Sequence, residues 1–415
     1  MKTATPRFPS LKHRNFKILW AGLIVSNTGT WMQNVAQGWL VLQLTNSPFW
    51  LGLLGLSFAI PMVILPLIGG AVVDRIDRIR LLYFTQTGAM LTALVLAILT
   101  WTGRVQISHI LIASFFGSTL LAFDNPARQS LIPELVPPQD LLNAISLNSA
   151  TYTGAALVGP AIAGALLVPL GAGTLFLMNA ISYLAVLLAL VSMKNLPHRG
   201  AVPRHGSLGR SVLTGLSYAW NNRMILGMLA LSALAAVFGR SYQNLLPIFA
   251  RDIWHGGPAG YGLLLSASGG GALVGAFGLA AVRKTSRQGV ILVTSGLIFS
   301  LAVILFALSP SFWLGALLLF IGGVAVTIFG TIISSFIQLT VPNELRGRVM
   351  SLYSITLIGL PSLGAMGIGS IAEWLGGTAG APRAVLYGGL LVGLVLLIVI
   401  PKFWQLDMDK MSKRA

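Results

Sequence analysis

Cysteine is absent from the 415 residues, which excludes disulfides and thiolate metal sites. Charge is scarce as well: Asp, Glu, Lys and Arg together make up 9% of the chain, where a soluble domain carries about a quarter. That scarcity excludes a water-soluble multi-domain protein. Histidine occurs singly, at His13, His109, His198, His205 and His255, so spacing suggests no metal site. HExxH, GxSxG and GxxxxGK[ST] patterns are missing, which argues against an intramembrane enzyme and against ATP-driven pumping. No cofactor or metal is expected. What fills the chain instead is apolar, 55% of residues, with a mean hydropathy of +0.82.

At about 20 residues per membrane-crossing helix, twelve crossings use about 240 residues and leave room for loops and ends. Apolar runs and turn residues predict helices at 16–44, 49–73, 79–101, 107–130, 140–168, 172–193, 223–250, 259–283, 288–308, 312–338, 345–373 and 382–402. The first run continues beyond the 7 to 15 apolar residues of a secretory signal, with no small-residue cleavage site, so it is read as a retained span. The expected fold is an all-α membrane protein of twelve transmembrane helices.

The excess of base over acid, 27 Lys and Arg against 10 Asp and Glu, fits membrane orientation better than nucleic acid as a partner. With both termini in the cytoplasm, Arg104, Arg251 and Arg383 fall outside and Arg240 falls within a span. The other 23 of the 27 basic residues lie in cytoplasmic loops, tails or helix ends, the positive-inside pattern. The longest polar stretch, 194–222, is Pro-, His- and Arg-rich and reads as a cytoplasmic linker with a short surface helix around Gly209 to Asn221. It separates a six-helix bundle over 1–193 from a second over 223–415.

The two bundles read as copies. Sliding the chain by 205 positions superposes Val136-Pro137 on Val341-Pro342, Ser146-Leu147 on Ser351-Leu352, Ser149 on Ser354 and Thr151 on Thr356. The same shift places Gly154, Gly159 and Gly164 on Gly359, Gly364 and Gly369. A shift of 207 places Asn15 on Asn222, and Gln33 and Gln37 on Arg240 and Asn244. Two six-helix halves in parallel repeat are the plan of the major facilitator transporters.

Motifs extend the resemblance. GAVVDRIDR, residues 70–78, resembles the superfamily's loop signature between the second and third helices. Gly70 permits close helix approach, Asp74 can accept from N–H groups at a helix start, and Arg75 and Arg78 offer forked donors at headgroup level. Asp77 stands where the family often has Gly, and the second half has Val282 where the matching acid would be. The stretches 123–137 and 341–349 resemble the drug and siderophore exporter branch, the group containing enterobactin and macrolide exporters. In the fifth helix, Gly154, Gly159, Pro160 and Gly164 resemble the Gly-Pro motif of antiporter-type members. Close packing by small residues is the simpler reading of the same run.

Polar side chains inside spans mark a water-filled path, because each is costly against lipid. Asn27, Thr30, Asn34 and Gln37 share a face of the first helix, with Trp31 beside them, and Arg240, Gln243 and Asn244 project together from the seventh. Inter-helix hydrogen bonding is the alternative for the amides, and snorkelling to the outer surface for Arg240. Asp124 is the only acid well inside an apolar run. It is read as a proton carrier or, with Arg128 one turn away and Arg78 within reach, as half of a structural ion pair. Asp74, capping the start of the eleventh helix near Arg346 and Arg348, would latch the outward-open state. The resemblance implies a monomeric inner-membrane exporter of a small amphipathic drug- or siderophore-like molecule, working by alternating access in exchange for protons and surrounded by membrane lipids. A lipid or lysolipid flippase on the same scaffold, or a non-transporting sensor, is the alternative.

Overall fold

The computed structural model describes residues 8–73, 76–193, 208–281 and 288–403. Span 1 is Arg14–Thr45, span 2 Pro48–Val73, span 3 Arg78–Trp101 and span 4 Ile107–Leu135. Spans 5 and 6 share one helix, Leu141–Ser192, broken at Gly171. Span 7 covers 223–253 in several pieces, span 8 is Gly257–Ala281, span 9 Gln288–Ala307 and span 10 Phe312–Thr340. Span 11 has two parts, Asn343–Ile358 and Leu360–Trp374, and span 12 is Ala381–Phe403. The chain is therefore an all-α membrane protein, with twelve crossings among the described residues. A separate linker helix, Leu208–Asn221, precedes span 7.

Local chemistry explains the reversals. Span 1 ends where Asn46 turns left-handed (φ 49°) and returns its N–H to the Leu42 carbonyl at 2.9 Å. Asn is one of the few L-residues that adopt this conformation readily. Spans 5 and 6 reverse without a loop. Pro169 removes a backbone donor, and two residues later Gly171 takes φ 75°, ψ 165°, which a residue with a Cβ could adopt only under strain. Asp77 starts span 3 by accepting from Ile79 N at 3.1 Å and Arg80 N at 2.9 Å, an N-cap worth about 1 kcal/mol. That role gives the acid at this loop position a use that Gly could not supply.

Span 7 is the least regular crossing. After Arg223–Leu234 it becomes π-helical over Ala235–Arg240, tightens to 3₁₀ over Ser241–Leu245 and is π-helical again over Phe249–Ile253. Such bulges concentrate at functional sites because they free carbonyls and re-aim side chains. Ser241 Oγ donates at 3.0 Å to the Pro361 carbonyl at the break in span 11, so the two interrupted helices brace each other.

We call the side where span 1 begins the basic side and the opposite one the far side. On the basic side of the first half, Phe16, Leu19, Leu82, Leu131, Val186 and Leu190 form one buried cluster. Outward-pointing residues are strongly apolar, as at Leu188, Val191 and Ile398, which suits contact with lipid.

Candidate functional site

On the far side the two halves are sealed backbone to backbone. A Cβ added at Gly262 of span 8 would overlap the Pro160 carbonyl oxygen, and one at Gly164 of span 5 would lie 2.9 Å from Pro258 O. Across the pseudo-twofold, a Cβ at Gly52 of span 2 would lie 2.6 Å from Ala365 O, and one at Gly369 of span 11 would lie 2.5 Å from Pro48 O. Gly164 and Gly369 are the last pair matched by the 205-residue shift, so the repeat brings equivalent glycines to equivalent crossings.

Polar groups bridge the halves at the rim of this seal. Arg251, at the end of span 7, donates to the Leu42 carbonyl at 3.1 Å and to Asn46, and pairs with Asp252. Glu373 accepts from Ser47 Oγ at 2.7 Å and from Phe49 N at 3.5 Å. Ser266 Oγ donates to the Leu157 carbonyl at 2.7 Å.

Toward the basic side, Gly154 of span 5 meets nothing within 4 Å of where a Cβ would sit. Tyr152 of span 5 is 60% exposed, yet its phenol lies within electrostatic reach of Arg128 on span 4 and Arg240 on span 7. Its ring meets Trp31 of span 1 with centroids 6.2 Å apart, and Gly159 leaves room for the Trp31 Cβ. A partly exposed aromatic pair thus stands where the charges of Arg240 and of the Asp124-paired Arg128 are both felt.

Arg240 is half-buried, and among the described residues it makes no hydrogen bond or ion pair. Farther along span 7, Tyr242, Leu245, Leu246, Ile248, Phe249 and Ala250 are all buried, so its own helix offers no wet route toward the far side. Tyr242 and Tyr353 also feel its charge. A guanidinium without a counter-charge at this depth is costly unless water or a ligand reaches it.

The remaining polar residues sort by depth. Asn34 is exposed, while Asn27, Thr30 and Trp31 are half-buried. Thr30 Oγ1 donates to Ser26 O at 2.9 Å and lies 3.3 Å from the Tyr183 hydroxyl. Gln243 reaches Ser268 Oγ at 3.4 Å, and Asn244 Oδ1 abuts Gly55 of span 2. Gln37 is only 5% exposed and its Nε2 has no partner among the described residues. It sits in the closed layer beyond the open space. Gln33, the repeat mate of Arg240, is consumed inside its own half by Asn179 Nδ2 at 2.7 Å.

Asp124 is 3% exposed and accepts from Thr85 Oγ1 at 3.0 Å, from Gln86 Nε2 at 2.6 Å and from Arg128. Arg128 also donates to Asn125 Oδ1 at 3.0 Å. Arg78 does not reach Asp124; it pairs with Glu134 on the same loop-facing end of span 4, and this nearer acid takes the place that the sequence reading gave to Asp124. Gly70 lies in span 2 three residues from its end, whereas Asp74 and Arg75 lie outside the described residues. Arg348 packs its backbone against Gly215 of the linker helix, and Arg346 is half-buried near the start of span 11. Of the span 5 glycines, Gly159 and Gly164 make close contacts, while Gly154 faces open space.

Three contributors had little signal in the sequence. Tyr152 stands in a Ser/Thr-rich turn beside the repeat identities, with nothing to mark it as a lining residue. Asn46 and Ser47 are loop-end residues whose partners lie more than 200 residues away.

A family model described as transmembrane secretion effector matches residues 5–414. The chain belongs to that family, a branch of the major facilitator superfamily. It is 25% identical to the multidrug efflux pump Tap of Mycolicibacterium fortuitum over 401 residues, covering 94% of this chain and 96% of Tap. It is 23% identical to the enterobactin exporter EntS of Escherichia coli over 388 residues, covering 94% and 92%. It is 28% identical to the staphyloferrin A transporter of Staphylococcus aureus over 258 residues, spanning 62% of this chain and 64% of that one. Among solved structures, a bacterial homologue of the iron transporter ferroportin in its inward-facing state superposes with a TM-score of 0.73 at 18% identity, covering 95% of this chain and 99% of that one. A bacterial homologue of the lysosomal transporter Spinster, inward-facing and unoccupied, gives 0.72 at 15%, covering 99% of both. The transmembrane secretion effector described here is thus a membrane transporter, and its exporter branch was legible from the motifs.

Proposed function

We propose that this transporter expels a small amphipathic anion, drug- or siderophore-like, from the cytoplasm by alternating access in exchange for protons. The basic side is the cytoplasmic face of a bacterial inner membrane and both termini lie there, as the charge asymmetry of the loops supports. The observation that carries the reading is the exposed Tyr152 ring against Trp31, with the charges of Arg128 and Arg240, from opposite halves, both acting on its phenol. Such a space binds an anionic head between the guanidinia and an aromatic body against Trp31 and Tyr152. With the far side sealed and the basic side open, the protein is in the state that loads cargo.

Asn27, Thr30, Asn34, Gln243 and Asn244 supply adaptable polar lining along the path, and Gln37 joins it when the far side opens. Asp124 is assigned to pairing with Arg128 rather than to carrying the coupled proton, because three donors already occupy the carboxylate. The basic-side latch comprises Gly70, Asp74, Arg75 and Arg78 with Arg346 and Arg348, and Asp74→Asn should lower transport without affecting membrane insertion. Normal turnover of that variant in vesicles would remove the latch from the mechanism.

Arg240→Gln shortens the side chain by two bonds, keeps a planar hydrogen-bond donor and removes the charge. It should weaken binding of anionic compounds by about tenfold or more, since hydrogen bonds to charged groups contribute about 1.5–3 kcal/mol, and leave neutral compounds nearly unaffected. Equal loss for both classes in a binding titration would strip Arg240 of this role.

Sending an anion out while a proton comes in moves two charges in the direction an inside-negative potential favours, each worth about 2.3 kcal/mol per 100 mV. Collapsing both the pH gradient and the membrane potential with a protonophore should therefore abolish uphill export. Accumulation that continues under that treatment would assign the coupling to another ion.

A further inference from the structure

Span 7 carries two adjacent irregularities whose rotations cancel. Ala235–Arg240 is π-helical, and at about 4.4 residues per turn its six residues fall behind an α-helix by about 110°. Ser241–Leu245 is 3₁₀, and at about 3 residues per turn its five residues regain about 100°. Both ends of the stretch therefore keep the faces that an unbroken α-helix would give them. Only the junction, Arg240 and Ser241, is turned.

The other half shows that the fold accommodates the unturned form. Under the 207-residue shift this stretch corresponds to Thr28–Gly38 of span 1, which is regular helix within Arg14–Thr45. The partner helix differs in the same way. Span 11 is interrupted between Ile358 and Leu360, whereas span 5 runs unbroken past Gly154, the mate of Gly359.

The two interruptions meet at one buried hydroxyl. Ser241 Oγ lies 2.5 Å from Val237 O and 3.3 Å from Ala236 O in its own helix, and 3.0 Å from Pro361 O of span 11. Its single proton is shared among these carbonyls. Span 11 approaches closely enough that a Cβ added at Gly364 would collide with both Ser241 Oγ and Val237 O. Arg240, next in the chain, is in none of the ion pairs among the described residues, so its direction is set by the helix that carries it. In the present register its charge is felt at the Tyr152 phenol.

We propose that Ser241 is a positioning residue for Arg240 and that the stretch around it is a rotary switch. With the hydroxyl engaged at the break in span 11, the π and 3₁₀ turns keep Arg240 directed at the cargo. When the far side opens, the stretch takes the α register of its mate in span 1. Arg240 then turns by about 100°, and the anion loses its cation as it gains an exit. Because the two rotations cancel, straightening leaves the buried Leu246, Ile248 and Phe249 in place. The anion rests on the function proposed above; the switch rests on the helical registers.

Ser241→Ala removes the hydroxyl and installs the residue that most favours α-helix. In the full-length protein in nanodiscs it should weaken binding of 1-naphthoate at least threefold and spare neutral 1-naphthalenemethanol. In an Arg240→Gln background it should cost no further affinity, because both changes act through one charge. Additive losses, equal loss of the two probes, or no loss would overturn the positioning role. Hydrogen exchange over residues 235–245 reads the switch directly. It should slow in Ser241→Ala as the irregular turns become α turns, whereas loss of a mere staple between spans 7 and 11 would speed it. Faster or unchanged exchange would overturn the switch. If the unaltered protein binds both probes equally, the anion reading of the function falls, and slowed exchange in Ser241→Ala would still uphold the switch.

Discussion

Replacing Gly262 with alanine is expected to stop transport while leaving the protein folded and trapped open toward the far side. The new methyl would occupy the position of the Pro160 carbonyl oxygen, and two helix backbones, unlike a flexible side chain, have no rotamer through which to yield. Either spans 5 and 8 separate or the seal does not form. Separation is the cheaper course, because each six-helix half keeps its own core and only the contact between halves is lost. Arg251 and Glu373 at the rim would lose their partners in the other half but would regain water. Gln37 supplies the readout, since it is 5% exposed in the sealed state and the chain lacks cysteine. In a Gln37→Cys background, Gly262→Ala should raise the labelling rate by a membrane-impermeant maleimide from outside at least tenfold. Unchanged labelling with normal transport would show that the seal is not the glycine contact described here. Gly52→Ala, at the symmetry-related crossing, should behave in the same way.

Removing the Asp124 carboxylate should act on folding. Asp124→Ala would leave Arg128, whose side chain is only 12% exposed, without its counter-charge, and would leave Gln86 Nε2 without its acceptor. Breaking a buried pair from one side costs about 3–5 kcal/mol, a large part of a marginal stability. The variant should therefore melt well below the unaltered protein, or accumulate poorly in the membrane. Adding Arg128→Met should recover much of the loss, because no uncompensated charge remains. Transport should stay low in the double variant, since the positive charge that Arg128 sets near Tyr152 is lost. A double variant no more stable than Asp124→Ala alone would mean that the carboxylate serves something other than this arginine. Asp124→Asn separates the roles further. A proton carrier so replaced loses coupling but not stability, whereas half of an ion pair loses both.

Much of the architecture could be read before any coordinates. Crossing number follows from apolar run length against bilayer thickness, and the duplication follows from identities at fixed offset. Asp124 with Arg128 was equally visible, because residues four apart on a helix share a face regardless of what surrounds them. Which amides line the open space was not visible. Gln33 and Asn34 are neighbours in sequence, yet one is tied to Asn179 and the other is exposed, a difference set by which side of span 1 packs against span 6. Pairing of Arg78 with Glu134 rather than Asp124 likewise depends on how the ends of spans 3 and 4 meet.

Composition, periodicity and internal repetition thus determined the class of protein, its duplicated plan and the glycines at its crossings. These are properties of single helices and of a bilayer whose thickness is given. Tertiary structure decided which side is shut and which arginine lacks a partner. Those depend on how two nearly equivalent bundles lean on each other, and the lean is set by backbone contacts and long-range polar pairs that leave no periodic trace along the chain.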